Sequence, residues 1–461
     1  MAFKSFIVTD LSYGDAGKGS TVDYLSRKYE SNVVVRFNGA SQAAHNVITP
    51  EGTHHVFSQF GSGSFNYMSK TFLSKYMLIN PLNMINEANH LIGLGVSNIW
   101  ENTFVDRACV VITPWHEATN RLKEVLRDKH RHGSCGHGIG EAVKDSLEFP
   151  ELTIRVRDLA FRKKRKFLFS KLKAVRAHKL QELRDLEQIY KCEIDALSAD
   201  IFTSDSYIDK IIDGYYEWSS KINFGDIFTL ANISNSVDAI IFEGSQGVLL
   251  DEYYGFHPYT TWSTTTSENA LKLLDEIEFD GENTKLGLIR AYTTRHGAGP
   301  FVTQDDKMTE KIIEQHNTLG TWQGAFRIGW LDLIAHKYAI EANGGIDALV
   351  VSGLDQITDF DELKVCTSYG IDNEFIDTGL FNKLGNKNVF EMKLGGKYDL
   401  NAREKLAIAL DSVTPYYERI YGSPVERINT LLNRCEQFLK SKVVIKSYGP
   451  TASDKTTNGI L

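Results

Sequence analysis

Short apolar runs that end in glycine, aspartate or threonine recur along this chain. Phe6-Ile7-Val8 is the first, Asn32-Val33-Val34-Val35-Arg36-Phe37 the second. Later come Asp238 to Gly247, Leu286 to Tyr292 and Asp347 to Asp355. Runs this short and continuous read as strands buried on both faces. Between them the period changes. Thr21 to Lys28 reads as a helix, residues 117–130 as a charged helix, and residues 160–190 as a long amphipathic helix with Phe167, Leu168, Leu172, Val175 and Leu180 at helical spacing. Residues 66–110 alternate helix-like and strand-like segments. Strands alternating with helices predict an α/β fold: a large, mostly parallel central sheet with helices on both faces and ligands along its carboxyl edge. One unit spanning 1–461 is expected, with a peripheral helical segment at about 117–235.

The first strand runs into Tyr13-Gly14-Asp15-Ala16-Gly17-Lys18-Gly19-Ser20, and the helix follows directly. Strand, glycine-rich turn and helix N-terminus make an anion site, with Lys18 placed against a phosphate. The usual phosphate loop is G-x4-G-K-[ST]. Here Ser12 stands at the first glycine and Gly19 at the hydroxyl position, so spacing alone leaves an ordinary glycine turn open. The second strand leads to Asn38-Gly39-Ala40-Ser41-Gln42-Ala43-Ala44-His45-Asn46. Both loops fall at one sheet edge, where Asp15 and His45 can share general-base and electrostatic work; a structural role for His45 is the alternative. His132 to Gly140 is another glycine- and hydroxyl-rich loop, in which Ser134 and nearby N–H groups suit a phosphate. His132 and His137 lack a third ligand at useful spacing for a metal.

Composition narrows the classes. The 461 residues are 42% hydrophobic, ample for a large core, and the net charge is −8, which disfavours a nucleic-acid coat. The basic cluster Arg162-Lys163-Lys164-Arg165-Lys166 reads as one face of the amphipathic helix, with nucleic-acid contact as the alternative. Cys109, Cys135, Cys192, Cys366 and Cys435 are scattered and lack CxxC spacing, which suits reduced thiols in the cytoplasm. No secretory signal or membrane-length apolar run is evident.

Taken together, the loops resemble the adenylosuccinate synthetase family over nearly the whole chain, from Ile7 to about Thr456. The family's G-D-E-G-K-G-K is similar to Gly14–Ser20, its N-A-G-H to Gln42-Ala43-Ala44-His45, and its E-G-A-Q-G to Glu243-Gly244-Ser245-Gln246-Gly247. Its T-R-V-G-A-G-P-F is similar to Thr294–Phe301, and its T-G-W-L-D to Ile328–Asp332. The resemblance implies a P-loop-like ligase in purine biosynthesis. GTP phosphorylates the 6-oxygen of IMP, and the amine of aspartate displaces that phosphate. It further implies Asp15 as base and Mg²⁺ ligand, the Ala44 carbonyl as a second Mg²⁺ ligand, and His45 as stabiliser of the phosphates in transfer. Gly14, Gly17, Lys18, Gly19 and Ser20 would cradle the nucleotide phosphates. Gln42, Gln246 and Thr261 would contact the acceptor nucleotide, with Ser134 and Cys135 at its phosphate. Asp355, Ser447, Gly449 and Pro450 would hold the donor base, favouring guanine. The family also implies a homodimer.

The resemblance departs in the acceptor half. The aspartate-binding T-T-G-R-R-R-R-T-G-W is Thr321-Trp322-Gln323-Gly324-Ala325-Phe326-Arg327-Ile328-Gly329-Trp330 here, keeping only Arg327 of its arginines. His137 replaces an arginine, and Val143–Glu151 shows no equivalent of the arginine that reaches the IMP phosphate across the dimer. Asp10-Leu11-Ser12-Tyr13-Gly14 and Tyr448-Gly449-Pro450-Thr451 also resemble phage 2-aminoadenylosuccinate synthetases, which act on dGMP and are associated with adenine nucleotide donors. Three readings follow: a ligase joining an amine, aspartate by resemblance, to a 6-oxopurine nucleotide; a related ligase or kinase with another acceptor or amine; and a nucleotide sensor without turnover.

Overall fold

Val33, Val34 and Val35 are fully buried, as a strand covered on both faces must be. They belong to a ten-stranded sheet in a computed structural model that describes residues 4–127, 134–312, 324–371, 378–384 and 388–458. In chain order its strands are β1 (Lys4–Asp10), β2 (Asn32–Arg36), β3 (Ser69–Leu73), β4 (Thr103–Asp106), β5 (Asn223–Gly225), β6 (Ala239–Glu243), β7 (Glu282–Arg290), β8 (Ala348–Ser352), β9 (Val443–Ser447) and β10 (Lys455–Thr457). In space they run β10-β9-β8-β7-β1-β6-β2-β3-β4-β5. Every neighbouring pair is parallel except β9 with β10.

Side chains alternate across the sheet. Phe6 and Val8 pack with Val22 and Leu25 of helix α1 (Lys18–Lys28). Ile7 points the other way, into a core with Leu230, Ala270 and Leu273 from the helices Ile227–Ser234 and Glu268–Glu276. The expected helices on both faces are present. The crossover from β1 through α1 to β2 is parallel, but the two strands are not neighbours. β6 lies between them, with Ile7 opposite Phe242 on one side and Val35 opposite Phe242 on the other. That arrangement sets the glycine loop after β6 between the two loops singled out in the sequence.

The helical stretch begins slightly earlier than its period suggests, at Pro114, the first residue of α2 (Pro114–Arg127). It continues through α3 (Ile139–Glu148), α4 (Arg165–Tyr190) and α5 (Asp205–Ser219). Near its end it contributes β5, the edge strand of the central sheet. Within and just after the basic cluster, Arg165 and Lys171 meet carboxylates. Arg165 pairs with Asp209 at 2.7 Å and Asp213 at 2.5 Å, and Lys171 with Asp158 at 3.1 Å. Between α3 and α4, buried Lys179 meets Asp145 at 2.7 Å, Glu182 at 3.0 Å and Glu141 at 3.1 Å. A second sheet, built on the antiparallel pair Leu363–Ile371 and Val413–Ile420 with Leu331–Asp332 joined in parallel, was not visible in the sequence pattern. Among the described residues, no helix is long and apolar enough to cross a membrane.

Candidate active site

The loop after β1 is built on a buried carboxylate. Asp10, the last residue of β1, accepts the N–H of Ser12 at 2.8 Å and that of Ala16 at 2.8 Å. Its side chain is fully buried and pairs with Lys18 Nζ at 3.0 Å. Lys18 also donates to the Gly14 carbonyl. The ammonium is thus folded into the loop that a phosphate would occupy. Gly17 caps α1 in the left-handed region at φ 85°, and its carbonyl accepts Thr21 N at 3.1 Å. Ser20 Oγ donates to the same carbonyl at 3.2 Å.

The absence of a hydroxyl at Gly19 has a packing cause. A Cβ on Gly19 would lie 2.8 Å from His45 Cβ and 3.2 Å from the Asn46 carbonyl. The loop carrying His45 therefore rests directly on the first turn of α1. Restoring the usual serine in Gly19→Ser is expected to displace His45 and lower turnover by about a hundredfold, as loss of one positioned catalytic group does. Steady-state phosphate release from the purified variant checks this, and unchanged turnover would dissociate His45 from the reaction.

His45 is buried, and its Nδ1 lies 2.5 Å from Glu243 Oε1 at the end of β6. Ser62 donates to Glu243 through its N–H at 2.9 Å and through its hydroxyl. Burial raises the Glu243 pKa, but the Arg36 charge, His45 and Ser62 outweigh it and bring the carboxyl to about 2. Burial lowers His45 to about 4 against the opposing pull of Glu243. The pair is therefore a neutral imidazole donating from Nδ1 to a carboxylate, which fixes the ring and leaves Nε2 for chemistry.

Asp15 stands at the outer turn of the loop, its side chain 28% exposed, with Oδ2 3.4 Å from His296 Nε2. Burial pushes its carboxyl up, yet His296, Arg290 and Lys18 together hold it below the usual value. The loop after β6 completes the wall. A Cβ on Gly247 would overlap the Ser12 carbonyl, and Gly14 packs on the Gln246 backbone. Gln246 itself takes φ 56°, and its Oε1 is buried without a protein partner among the described residues. Gln42 Nε2 and Oε1 are in the same state. Such buried, unpartnered amide atoms mark where a polar ligand fits. Asn38 ties the two loops together, accepting Ser245 N at 2.8 Å and donating to Ser245 O at 3.1 Å.

The remaining expected residues fall around this centre. Ser134 accepts from Asn120 Nδ2 at 3.0 Å, and burial pushes the Cys135 thiol up to about 11. Ser41 Oγ lies 3.4 Å from His137 Nδ1, so the loop holding Gln42 meets the loop holding Ser134. Thr261 is half-buried and fixed by its N–H to the Leu250 carbonyl at 2.8 Å. Ala44 is exposed beside His45. Asp355 and the segment Ser447-Tyr448-Gly449-Pro450 follow the adjacent strands β8 and β9 and are joined by Leu354 N to Ser447 O at 3.2 Å. Ser447 Oγ donates to Gly449 O at 2.9 Å.

Arg327 is turned to the backbone. Its Nη2 donates to Gly297 O at 2.6 Å and Gly299 O at 3.0 Å, and its Nη1 to Gln304 at 3.0 Å. Arg295 opposite it donates to Pro300 O at 2.7 Å and lies over the Tyr13 ring at 4.2 Å. These two arginines brace the loop Gly297–Pro300 against the phosphate loop. Phe326 packs on His296, ring centroids 4.7 Å apart. His132 and Trp322 lie outside the described residues. Within them, no group of three or more His, Cys, Asp or Glu side chains is arranged to hold a metal ion. Asp10, Asn38, Glu243 and His296 are the residues to which motif reading assigned no role; for Asp10 and Glu243 the available signal was an acid closing an apolar run before a glycine loop.

A mostly parallel sheet whose carboxyl edge carries a glycine loop at a helix N-terminus, a carboxylate and a carboxylate-held imidazole has the build of a ligand-binding α/β protein. The family model described as adenylosuccinate synthetase matches residues 7–454, and this chain belongs to that family, whose members are ligases that form a C–N bond in purine biosynthesis. The adenylosuccinate synthetase of Clostridium novyi is 31% identical over 456 residues, covering 97% of each chain. That of Mycoplasma mycoides is 31% identical over 378 residues, covering 81% of this chain and 82% of its own. Among solved structures, fully ligated adenylosuccinate synthetase from Plasmodium falciparum shares the fold at TM-score 0.75 and 20% identity, covering 98% of this chain and 99% of its own. The cyanophage S-2L succinoaminodeoxyadenylate synthetase bound to dGMP and dATP shares it at TM-score 0.56 and 14% identity, covering 99% and 96%.

Proposed function

We propose that this chain activates the 6-oxygen of a purine nucleotide with the γ-phosphate of GTP and that an amine, aspartate by family membership, then displaces the phosphate. The observation that carries this reading is the convergence on the α1 N-terminus of Asp15 and of His45 held by Glu243. An oxo group leaves poorly and a phosphate leaves well, so activation precedes substitution. Asp15, ionised at neutral pH, takes the N1 proton of the acceptor, and the electron pair moves to O6. O6 attacks the γ-phosphorus, the P–O bond to the β-phosphate breaks, and the nucleoside diphosphate departs. The amine nitrogen then bonds to C6, the C6–O bond breaks, inorganic phosphate leaves, and the nitrogen gives up one proton to solvent.

His45 Nε2 faces the charge that grows on the phosphate oxygens; that negative charge opposes the burial that lowers its pKa and favours the imidazolium. Lys18 and the amides of Gly17 and Gly19 balance the remaining phosphate charge. The ionised Asp15 carboxylate and the exposed Ala44 suit Mg²⁺, which takes hard oxygens from one or two protein groups and the rest from phosphates and water. Asp15 and the Ala44 carbonyl would hold it, and it would supply charge neutralisation at the phosphate oxygens. Asp355 suits guanine, since one carboxylate accepts from both N1–H and the 2-amino group. A homodimer completes this reading.

One observation favours a second reading for the amine. Phe326 occupies an arginine position of the family motif and covers His296, and Arg327 is turned to backbone carbonyls. A loop with these features favours an amine other than aspartate. Phosphate release is measured with Mg²⁺ and GTP or ATP, offering IMP, dIMP, GMP and dGMP in turn, with and without aspartate, and products are identified by mass. Adenylosuccinate from IMP, GTP and aspartate is the expected result. Activation of a nucleotide to which aspartate adds nothing would establish the second reading, and no phosphate release with any acceptor would overturn both.

A further inference from the structure

We propose that Arg121 binds the 5′-phosphate of the acceptor nucleotide; this deepens, and rests on, the purine-nucleotide reading above. The loop Ser134-Cys135-Gly136-His137-Gly138 enters α3 at a left-handed glycine, Gly138 with φ 73°. It lies so close to α2 that a Cβ on Gly138 would sit 2.6 Å from Glu117 N. Two consecutive residues of α2 hold it. Asn120 donates to Ser134 Oγ and accepts Gly138 N at 3.2 Å. Arg121 Nε donates to the Gly136 carbonyl at 2.9 Å.

That loop offers N–H groups, a hydroxyl and a protonated thiol to a phosphate dianion, but no positive charge of its own. His137, in the place of a family arginine, is pushed toward its neutral form by burial and by the Arg121 charge. Among the described residues, Arg121 is the one cation whose side chain bonds the loop. With Nε engaged, its two terminal nitrogens remain, and the side chain is 46% exposed. Glu117 faces it at 4.0 Å, but that carboxylate already accepts from Asn80 at 3.2 Å and Asn83 at 3.4 Å. Ser41 Oγ, 3.4 Å from His137 Nδ1, brings the neighbouring Gln42 to this loop, and the Gln42 amide has no partner among the described residues. A planar guanidinium bound to this loop beside the Ser134 hydroxyl can make paired N–H···O bonds to one phosphate.

Calorimetric titration of IMP, dGMP, inosine and deoxyguanosine into the full-length protein tests this. Arg121→Ala is expected to weaken monophosphate binding about ten- to a hundredfold, the range for a charged hydrogen bond, and to leave the nucleosides unchanged. Arg121→Gln keeps a donor for the Gly136 carbonyl and is expected to show the same selective loss. Equal monophosphate binding by Arg121→Ala and wild type would overturn the proposal, as would loss of nucleoside and nucleotide alike. Wild-type protein that binds neither monophosphate would instead sink the purine-nucleotide reading itself.

Discussion

Asp15→Asn is expected to lower turnover by about 10⁴-fold, the upper range for loss of a general base. The amide keeps the shape of the carboxylate but accepts no proton at neutral pH, so O6 never gains the charge with which it attacks. Because the Asp15 side chain is partly exposed and meets His296 at 3.4 Å, the fold does not depend on it. The variant should keep the wild-type melting temperature. The step affected is separable from amine addition. Positional isotope exchange in the γ-phosphate of the donor, with acceptor present and amine absent, reports phosphoryl transfer alone. It should vanish in the variant while nucleotide binding persists. Exchange within tenfold of wild type would remove Asp15 from the base role.

Lys18→Met is expected to damage both stability and catalysis, for different reasons. Stability falls by about 3–5 kcal/mol because Asp10 is left as a buried charge without its partner. Denaturant unfolding measures that loss. Turnover falls by about 10²–10³-fold because a positive group is withdrawn from the phosphates. The double variant Asp10→Asn with Lys18→Met separates the two. Removing the orphaned charge should restore part of the stability; the part retained by the defect reflects the Asn amide facing Ala16 N–H, which Asp10 Oδ2 accepted. Turnover should stay low. A double variant that regains activity would make Lys18 a counterion for Asp10 and nothing more.

The five strands read as apolar runs, and the glycine loop after the first of them, were legible because their information is local. An apolar run, a glycine turn and a helix follow one another within β1, the loop and α1, and no distant residue is needed to read them. The same holds for α2 and α4, whose periods are carried by their own side chains. Strand order was not legible, because nothing within β1 or β2 announces that β6 will separate them. For the same reason, His45 was found by motif but its carboxylate was not: Glu243 is local to β6 and distant from His45 in sequence. The Gly19 substitution looked like a defect in a phosphate loop until the His45 loop was seen resting on it. Arg327 stands at a motif position, and its terminal nitrogens donate to Gly297, Gly299 and Gln304 while its buried Nε has no partner among the described residues.

The position of β6 also governs how the chain comes to be folded. β1 and β2 cannot close the middle of the sheet until β6 exists to bridge them. At ordinary rates of translation β6 leaves the ribosome roughly ten to forty seconds after β2. Throughout that interval two apolar strands carry unsatisfied backbone edges, the state from which chains aggregate. Long-range pairing of this kind folds slowly once it can begin. The strand that delivers Glu243 to His45 is thus also the one on which early assembly of the sheet waits, so the centre cannot form before that strand is made.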